Sequence, residues 1–127
     1  MNSENSLKLS LAGVVLSNPL ILASGVMGTT PGGLERVVQA GAGGVTTKSL
    51  GMNPRSGHSA PNIVEVSGGY LNAMGLPNPG VKEFKSELED QELEVPVFGS
   101  IYGEDSGEFE RVARILAPEV DALELNL

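Results

Sequence analysis

The chain has 127 residues, a net charge of −8 at pH 7 and a hydrophobic fraction of 40%. This length can bury a core, and the acidic balance argues against binding nucleic acid or an anionic membrane surface, because both reward clustered lysine and arginine. With no cysteine and one histidine, the sequence holds no disulfide, thiolate zinc site or cysteine-held iron–sulfur cluster. The first six residues lack the layout of a signal peptide, and no apolar run approaches the roughly 20 residues that span a bilayer. We therefore expect a soluble, cytoplasmic protein.

The first part of the sequence predicts a β-hairpin followed by a strand, a helix and a second strand. Residues 7–16 alternate loosely around a small-residue turn, which favours a hairpin. A strand is predicted over 20–23. Apolar residues then fall at helical spacing over 34–38, before Gly41, a residue type that commonly follows a helix end. The β-branched run over 44–49 is typical of a buried parallel strand.

The middle of the sequence predicts a long insertion before the next helix. Residues 50–62 are rich in proline, glycine and asparagine and indicate a loop. Alternation over 63–66 predicts a short extra strand, and 70–80 predicts a loop again. A helix is expected over about 79–90, because proline suits the first turn and apolar residues follow at helical spacing. Long insertions after strands are usually functional.

The last part of the sequence predicts a strand, a helix and a final strand. Residues 96–101 are typical of a strand. Asp105 and Glu108 have the spacing of a capping box, with aspartate in place of serine or threonine, and Pro118 ends the helix that follows. Alternating apolar residues over 122–127 predict the final strand.

The order of these elements predicts a parallel sheet with helical crossovers, so the fold class is α/β. The main strands begin near residues 20, 43, 96 and 121. A (β/α)8 barrel needs about 250 residues and eight such units, and the sequence ends within the fourth predicted strand. We therefore expect residues 1–127 to be the N-terminal half of a TIM barrel, truncated after its fourth strand and preceded by a hairpin. The alternative is a complete, small, open α/β sheet.

Candidate functional residues follow the predicted strands, where parallel α/β folds bind their ligands. Ala23 and Ser24 close the first main strand and would let a planar ligand approach the backbone, although a tight turn is the favoured explanation when this motif is taken alone. Lys48 follows the second strand. Its ammonium needs an anionic or carbonyl partner if it is desolvated, such as a reduced flavin or a carboxylate; a solvated lysine is the alternative. His58 is expected to be an exposed loop residue.

Two further polar segments are candidates for ligand binding. In the loop before the helix predicted at 79–90, Asn72 can both donate and accept hydrogen bonds, and backbone N–H groups around Gly75 can hold an anion. The alternative is an ordinary loop in which Asn78 caps the helix. Glu124 and Asn126 share one face of the last strand, which points inward in a barrel and to solvent in an open sheet.

Together these segments resemble the class 1 dihydroorotate dehydrogenases over nearly the whole sequence, from Leu7 to Leu127. The resemblance rests on Asn18-Pro19 with Ala23-Ser24-Gly25, on Thr47-Lys48-Ser49-Leu50, on Asn53-Pro54-Arg55-Ser56-Gly57 and on Asn72-Ala73-Met74-Gly75-Leu76-Pro77-Asn78-Pro79-Gly80. The stretch 49–55 and the segment 63–65 are more similar to the NAD-linked subclass (1B) than to the fumarate-linked one. The lack of an N-terminal membrane helix argues against the quinone-linked class 2.

The resemblance implies an FMN-containing (β/α)8 barrel that oxidises dihydroorotate to orotate in pyrimidine biosynthesis. In that family a base removes the C5 proton while the C6 hydride passes to flavin N5. The positions that it implies for contact with FMN are Ala23, Ser24, Lys48, Ser49, Ser100 and Asn126, with Ser100 standing where many relatives carry asparagine. The positions that it implies for contact with substrate are Lys48, Asn72, Ala73, Met74, Gly75, Leu76 and Asn126.

The resemblance also bears on catalysis and partners. The catalytic cysteine of the family is expected just beyond Leu127, so no catalytic residue is assigned within this sequence. The NAD-linked subclass implies a partner subunit that carries FAD and an iron–sulfur cluster, and an oligomer. Two alternatives stay open: a non-catalytic half-barrel or partner-binding scaffold, and a barrel similar to dihydropyrimidine dehydrogenase.

Overall fold

The computed structural model describes residues 7–127. The polar start that lacks a signal-peptide pattern, residues 1–6, lies outside the described residues. The strands are β1 (Leu9–Leu11), β2 (Val14–Leu16), β3 (Ile21–Leu22), β4 (Gly44–Thr46), β5 (Ile63–Val66), β6 (Gly69–Asn72), β7 (Val97–Ile101) and β8 (Ala122–Leu125). The helices are α1 (Pro31–Gln39), α2 (Val81–Glu89) and α3 (Ser106–Leu116), with 3-10 turns at Met27–Thr29 and Ala117–Glu119.

A four-stranded parallel sheet forms the centre of the fold, in the order β3-β4-β7-β8. Every neighbouring pair in it is parallel, which confirms the predicted α/β class. Strands β1 and β2 pair with each other as a separate antiparallel ribbon. Among residues 7–127 no helix is both long and apolar enough to cross a membrane.

The hydrophobic core lies between the sheet and the three helices. Val45 and Val97 occupy opposed positions on β4 and β7, and both are buried. The helices contribute the apolar stripes that the sequence predicts. The fully buried helical residues of this core are Leu34 on α1, Val81 and Phe84 on α2, and Val112 and Leu116 on α3.

The helix ends follow their sequence signals. Gly41 lies just after the C-cap of α1 and has φ +99°, which glycine adopts without strain. At the start of α3, the Asp105 side chain accepts a hydrogen bond from the Glu108 N–H at 2.7 Å. The Glu108 carboxylate accepts in turn from the Glu104 N–H at 2.9 Å, one residue before the expected partner. The capping box is therefore confirmed with this one shift.

One charged contact ties α2 to the 3-10 turn before β8. Lys85 pairs with Glu89 on its own helix and with Glu119 at a distance of 3.1 Å. The hydrogen bonds that Lys85 donates to these two carboxylates, that to Glu89 first, raise the pKa of Lys85. The Lys85 ammonium therefore stays charged at neutral pH and loses its charge when the pH rises through that elevated pKa.

Two predictions in the middle of the chain are wrong. Residues 70–72 were expected in a loop, but Gly69–Asn72 is strand β6, paired antiparallel with β5. The expected helix over 79–90 is shorter at both ends, since α2 runs from Val81 to Glu89. The first error has a physical reason: the hydrogen bonds of β6 come from a partner strand, and local sequence does not reveal that pairing.

The long insertion, residues 51–80, forms an antiparallel arm. Strands β5 and β6 make its tip, and every residue of both strands is exposed. Nearer the sheet the two sides are joined by backbone hydrogen bonds, from the His58 N–H to the Met74 carbonyl at 3.0 Å and in both directions between Arg55 and Asn78. The arm therefore returns residues 72–80 toward the sheet along a defined path.

A pair of leucine variants tests this core. Leu34→Ala removes a side chain with no exposed surface, and we expect the free energy of unfolding to fall by about 2–5 kcal/mol because a cavity is left. Leu20→Ala, at a side chain that is 68% exposed, should change it by less than about 0.5 kcal/mol. Urea unfolding of the two variants measures this difference, and equal losses would contradict the assigned core.

Candidate ligand site at the carboxyl ends of the strands

A partly open cavity of about 730 Å³ lies where the segment after β3, the segment after β4 and the arm meet. Six of the residues predicted to bind ligands line it together: Ser24, Lys48, Asn72, Met74, Gly75 and Leu76. Its volume falls in the range of about 300–1,000 Å³ that small-molecule sites usually have. The sequence places these residues up to 52 positions apart, and the fold gathers them in one cavity.

Lys48 is the charged residue that lines this cavity. It is 7% exposed, and its backbone N–H donates to the Gly28 carbonyl at 2.7 Å. Within residues 7–127 the cations that pair with carboxylates are Lys85 and Arg114, and no carboxylate lies within 4.0 Å of the Lys48 ammonium. A largely buried lysine that lines a cavity and has no carboxylate partner favours an anionic or electron-rich ligand in that cavity.

A second group of predicted residues lies next to Lys48 and is linked by hydrogen bonds. The Ser49 and Ser100 hydroxyl oxygens are 2.9 Å apart, and the Asn126 amide donates to the Ser49 hydroxyl at 3.1 Å. Ser49 and Ser100 are buried, whereas Asn126 is exposed at the end of its strand. Ser49, the residue after Lys48, is therefore held by two side chains, that of Ser100 on β7 and that of Asn126 at the end of β8.

The remaining predicted residues lie outside the lining of the cavity. Ala23 and Ala73 are both exposed and flank residues that do line it. Glu124 lies opposite Ser100 in the register of β7 and β8, on the other side of its strand from Leu123, which packs against the core. Glu124 and Asn126 therefore share the sheet face that points away from the helices, as the alternation predicts.

The backbone around Gly75 has an unusual conformation where it borders the cavity. Gly75 has φ +73° and Leu76 has φ +53°, a left-handed region that residues with a side chain seldom adopt. A Cβ on Gly75 would lie 2.6 Å from the His58 ring, so only glycine fits. His58 itself is exposed, as predicted. Such a conformation beside a cavity is a frequent mark of a functional site.

Asn78 fixes this backbone through four hydrogen bonds. Its amide donates to the Leu76 carbonyl at 2.9 Å and to the Tyr102 hydroxyl at 3.1 Å. Its side-chain oxygen accepts from the N–H groups of Gly51 at 3.3 Å and Gly80 at 2.9 Å. The expectation that Asn78 caps α2 is wrong, since Gly80 is the N-cap and no side chain caps it. Asn78 instead joins the arm to the ends of β4 and β7.

Sequence reasoning missed three apolar residues of the cavity wall: Val26, Ile63 and Tyr70. Tyr70 and Asn72 alternate on β6, and Ile63 lies directly opposite Asn72 on β5. Once the hairpin is recognised, the prediction that Asn72 contacts a ligand therefore implies that Ile63 and Tyr70 line the same cavity. The signal available in the sequence was the Ser67-Gly68-Gly69 turn between two short strand-forming segments.

The fold and the cavity define the class of this protein. It is an α/β protein with a parallel sheet and a cavity at the carboxyl ends of the strands, which is where barrel enzymes and related folds bind their ligands. The family model described as Dihydroorotate dehydrogenase matches residues 6–127. The chain therefore belongs to the dihydroorotate dehydrogenase family.

Individual relatives support the same family and the expected subclass. Proteins named "Dihydroorotate dehydrogenase B (NAD(+)), catalytic subunit" are similar to the chain at 50% identity in Methanocaldococcus jannaschii, 51% in Pyrococcus furiosus and 50% in Methanosarcina acetivorans. These alignments cover 98%, 96% and 93% of this chain, and 42%, 41% and 39% of the relatives. The resemblance to the NAD-linked subclass is confirmed, and the chain spans about two fifths of the length of these relatives.

The role of Asn78 can be tested with a nearly isosteric substitution. Asn78→Asp removes both donated hydrogen bonds and places a carboxylate beside the Leu76 carbonyl, so we expect the free energy of unfolding to fall by about 2–4 kcal/mol. Asn18→Asp is the matched control, because Asn18 also bonds two backbone groups but lies nearer to solvent. It should cost no more than about 1 kcal/mol. Urea unfolding decides, and equal losses in the two variants would contradict the role of Asn78.

Proposed function

We propose that the full-length protein oxidises dihydroorotate to orotate with FMN, in the pathway that makes pyrimidine nucleotides. The observation that carries this proposal is the environment of Lys48, a largely buried residue that has no carboxylate partner in the described residues and lines the same cavity as Asn72. A flavin that gains electrons and a substrate that carries a carboxylate are the two electron-rich groups that this arrangement suits. Membership of the family supports the same assignment.

The residues present fit a flavin on one side of the cavity. FMN, when bound, would supply the acceptor for the hydride that leaves the substrate. Lys48 would stabilise negative charge on the ring system, while Ser24 and Ser49 would contribute hydroxyl groups to its edge. Ala23, Ser100 and Asn126 complete the proposed set, with Ser100 acting through its hydrogen bond to Ser49.

The arm fits the substrate on the other side of the cavity. In residues 7–127, the backbone N–H groups of Gly75 and Leu76 donate to no protein acceptor, and both residues line the cavity. Adjacent N–H groups in a left-handed turn are suited to binding a carboxylate. Asn72 can pair with the ring amide through both its donor and its acceptor. Ala73 and Met74 connect these groups, so we assign the orotate site to residues 72–76 together with Lys48 and Asn126.

We further propose that the parallel sheet is half of a closed (β/α)8 barrel. The outer sides of β3 and β8 have no strand beside them in the described residues, and closure of a barrel would pair both. The base that removes the C5 proton would be a cysteine outside these 127 residues, which contain none. The name shared by the relatives supports a partner subunit and NAD. We propose that this partner carries FAD and an iron–sulfur cluster, and that the assembly is an oligomer in the cytoplasm.

The decisive experiment uses the full-length protein. We expect it to purify yellow, with the absorbance of bound FMN, and to bleach when dihydroorotate is added without oxygen. Dihydrouracil, which lacks the carboxylate, is the control and should bleach it at least about 100-fold more slowly, because a site built around an anion leaves its polar groups unpaired without one. A well-folded colourless protein, or equal rates with the two compounds, would overturn the proposal.

A charge variant tests the role of Lys48 directly. Lys48→Ala should slow flavin reduction by dihydroorotate about 100-fold or more, since removing one preorganised donor from developing charge has effects of this size. Lys82→Ala removes an exposed lysine on α2 and should leave the rate within about twofold. Anaerobic stopped-flow absorbance measures both. An unchanged rate in Lys48→Ala would remove Lys48 from the proposed site.

A further inference from the structure

The segment that continues β4, residues 47–50, carries one extra residue relative to β7. The Thr47 N–H donates to the Phe98 carbonyl and the Leu50 N–H donates to the Ser100 carbonyl, both at 2.9 Å. Three steps along one strand therefore match two steps along its neighbour, which is the geometry of a β-bulge. Bulges redirect side chains and occur often beside active sites. Here the Lys48 N–H turns away from β7 and donates to the Gly28 carbonyl on the opposite side.

The side chain of Thr47 completes the hydrogen bonds that this bulge interrupts. The Ser100 N–H donates to the Thr47 hydroxyl at 3.0 Å, where a regular parallel ladder would offer it a backbone carbonyl. The same hydroxyl donates to the Lys48 carbonyl at 3.0 Å. Thr47 has no exposed surface, so water cannot replace either bond. The Thr47 hydroxyl therefore bonds two backbone groups at the bulge, the Ser100 N–H of β7 and the carbonyl of Lys48.

We propose that Thr47 is a positioning residue for Lys48. Its hydroxyl holds the bulge that presents the ammonium to the cavity and places Ser49 against Ser100. The inference rests on the proposed function, because it assigns Thr47 a part in presenting charge to a flavin. A valine of the same shape would leave a buried N–H and a buried carbonyl without partners, and the strand would relieve this by returning toward regular pairing. A one-residue change of register turns side chains to the other face of a sheet.

Three variants of the full-length protein separate this role from simple loss of stability. Thr47→Val removes the hydroxyl, Thr47→Ser keeps it, and Thr46→Val removes the hydroxyl of a neighbouring threonine that is also buried. Thr46 makes no side-chain bond to the bulge in the described structure. If Thr47→Val does not fold, Thr47→Cys takes its place, because a thiol bonds weakly in the same position; its effects should be smaller and have the same direction.

The first measurement is amide hydrogen exchange without flavin, resolved by residue. In Thr47→Val we expect the Lys48 and Ser100 amides to exchange at least about tenfold faster than in the unmodified protein. The Val45 amide, which bonds the Pro96 carbonyl before the bulge, should stay within about twofold. Exchange should be unchanged in Thr47→Ser. Equal acceleration along the whole strand, or none at the two bulge amides, overturns the proposal whether or not the protein uses FMN.

The second measurement is the two-electron midpoint potential of bound FMN. With the ammonium displaced, the preference for the reduced flavin should fall about tenfold, which corresponds to about 30 mV for a two-electron couple. Thr47→Ser and Thr46→Val should stay within about twofold of the unmodified protein. A Thr47→Val protein that melts earlier but keeps its potential would show that Thr47 is only structural. An unmodified protein without FMN would refute the proposed function separately, and the exchange result would still decide the role of the bulge.

Discussion

The site depends on a lysine that the fold largely buries beside a cavity without giving it a carboxylate partner. Lys48 is 7% exposed, and none of the acidic side chains of the described residues forms an ion pair with it. An uncompensated charge in such a position costs stability. In the proposed function this cost is offset by the electrostatic field that the ammonium directs into the cavity. Such a field stabilises charge that develops nearby without reorganisation of the protein.

Two structural elements with different properties build the two sides of the cavity. The sheet supplies Lys48 just after the buried strand β4, which lies between β3 and β7. The arm supplies Asn72 and the Gly75 backbone from an exposed hairpin, which could not hold a position by itself. Asn78 resolves this difference, because its four hydrogen bonds connect the base of the arm to the ends of two strands. This one side chain therefore holds the base of the arm, the proposed substrate side of the cavity, against the sheet.

The sequence predicts the parallel sheet well because strand spacing and apolar runs are local and repeated. The run over 44–49 and the caps at Gly41 and Asp105 are examples, since each depends on residues within one turn or one strand. Strand β6 and the bulge at Thr47 could not be predicted in this way. Both are defined by hydrogen bonds to residues distant in sequence. The sequence also cannot distinguish a threonine that bonds the backbone across a bulge from one that is present because threonine favours strands.

The residues of this chain supply groups for one part of the proposed chemistry, the binding of ligands and the stabilisation of charge. They offer an ammonium, amides and hydroxyl groups, all of which bind, orient or stabilise charge. The sequence has no cysteine and one histidine, His58, as residues that usually move a proton near neutral pH. His58 is exposed and packs against Gly75. Recognition of substrate and electrostatic control of the flavin would therefore belong to this part of the fold, and proton removal to another. The bulge at Thr47 would affect proton removal as well as the flavin, because a shift of Lys48 changes the electrostatic field at any base placed across the cavity.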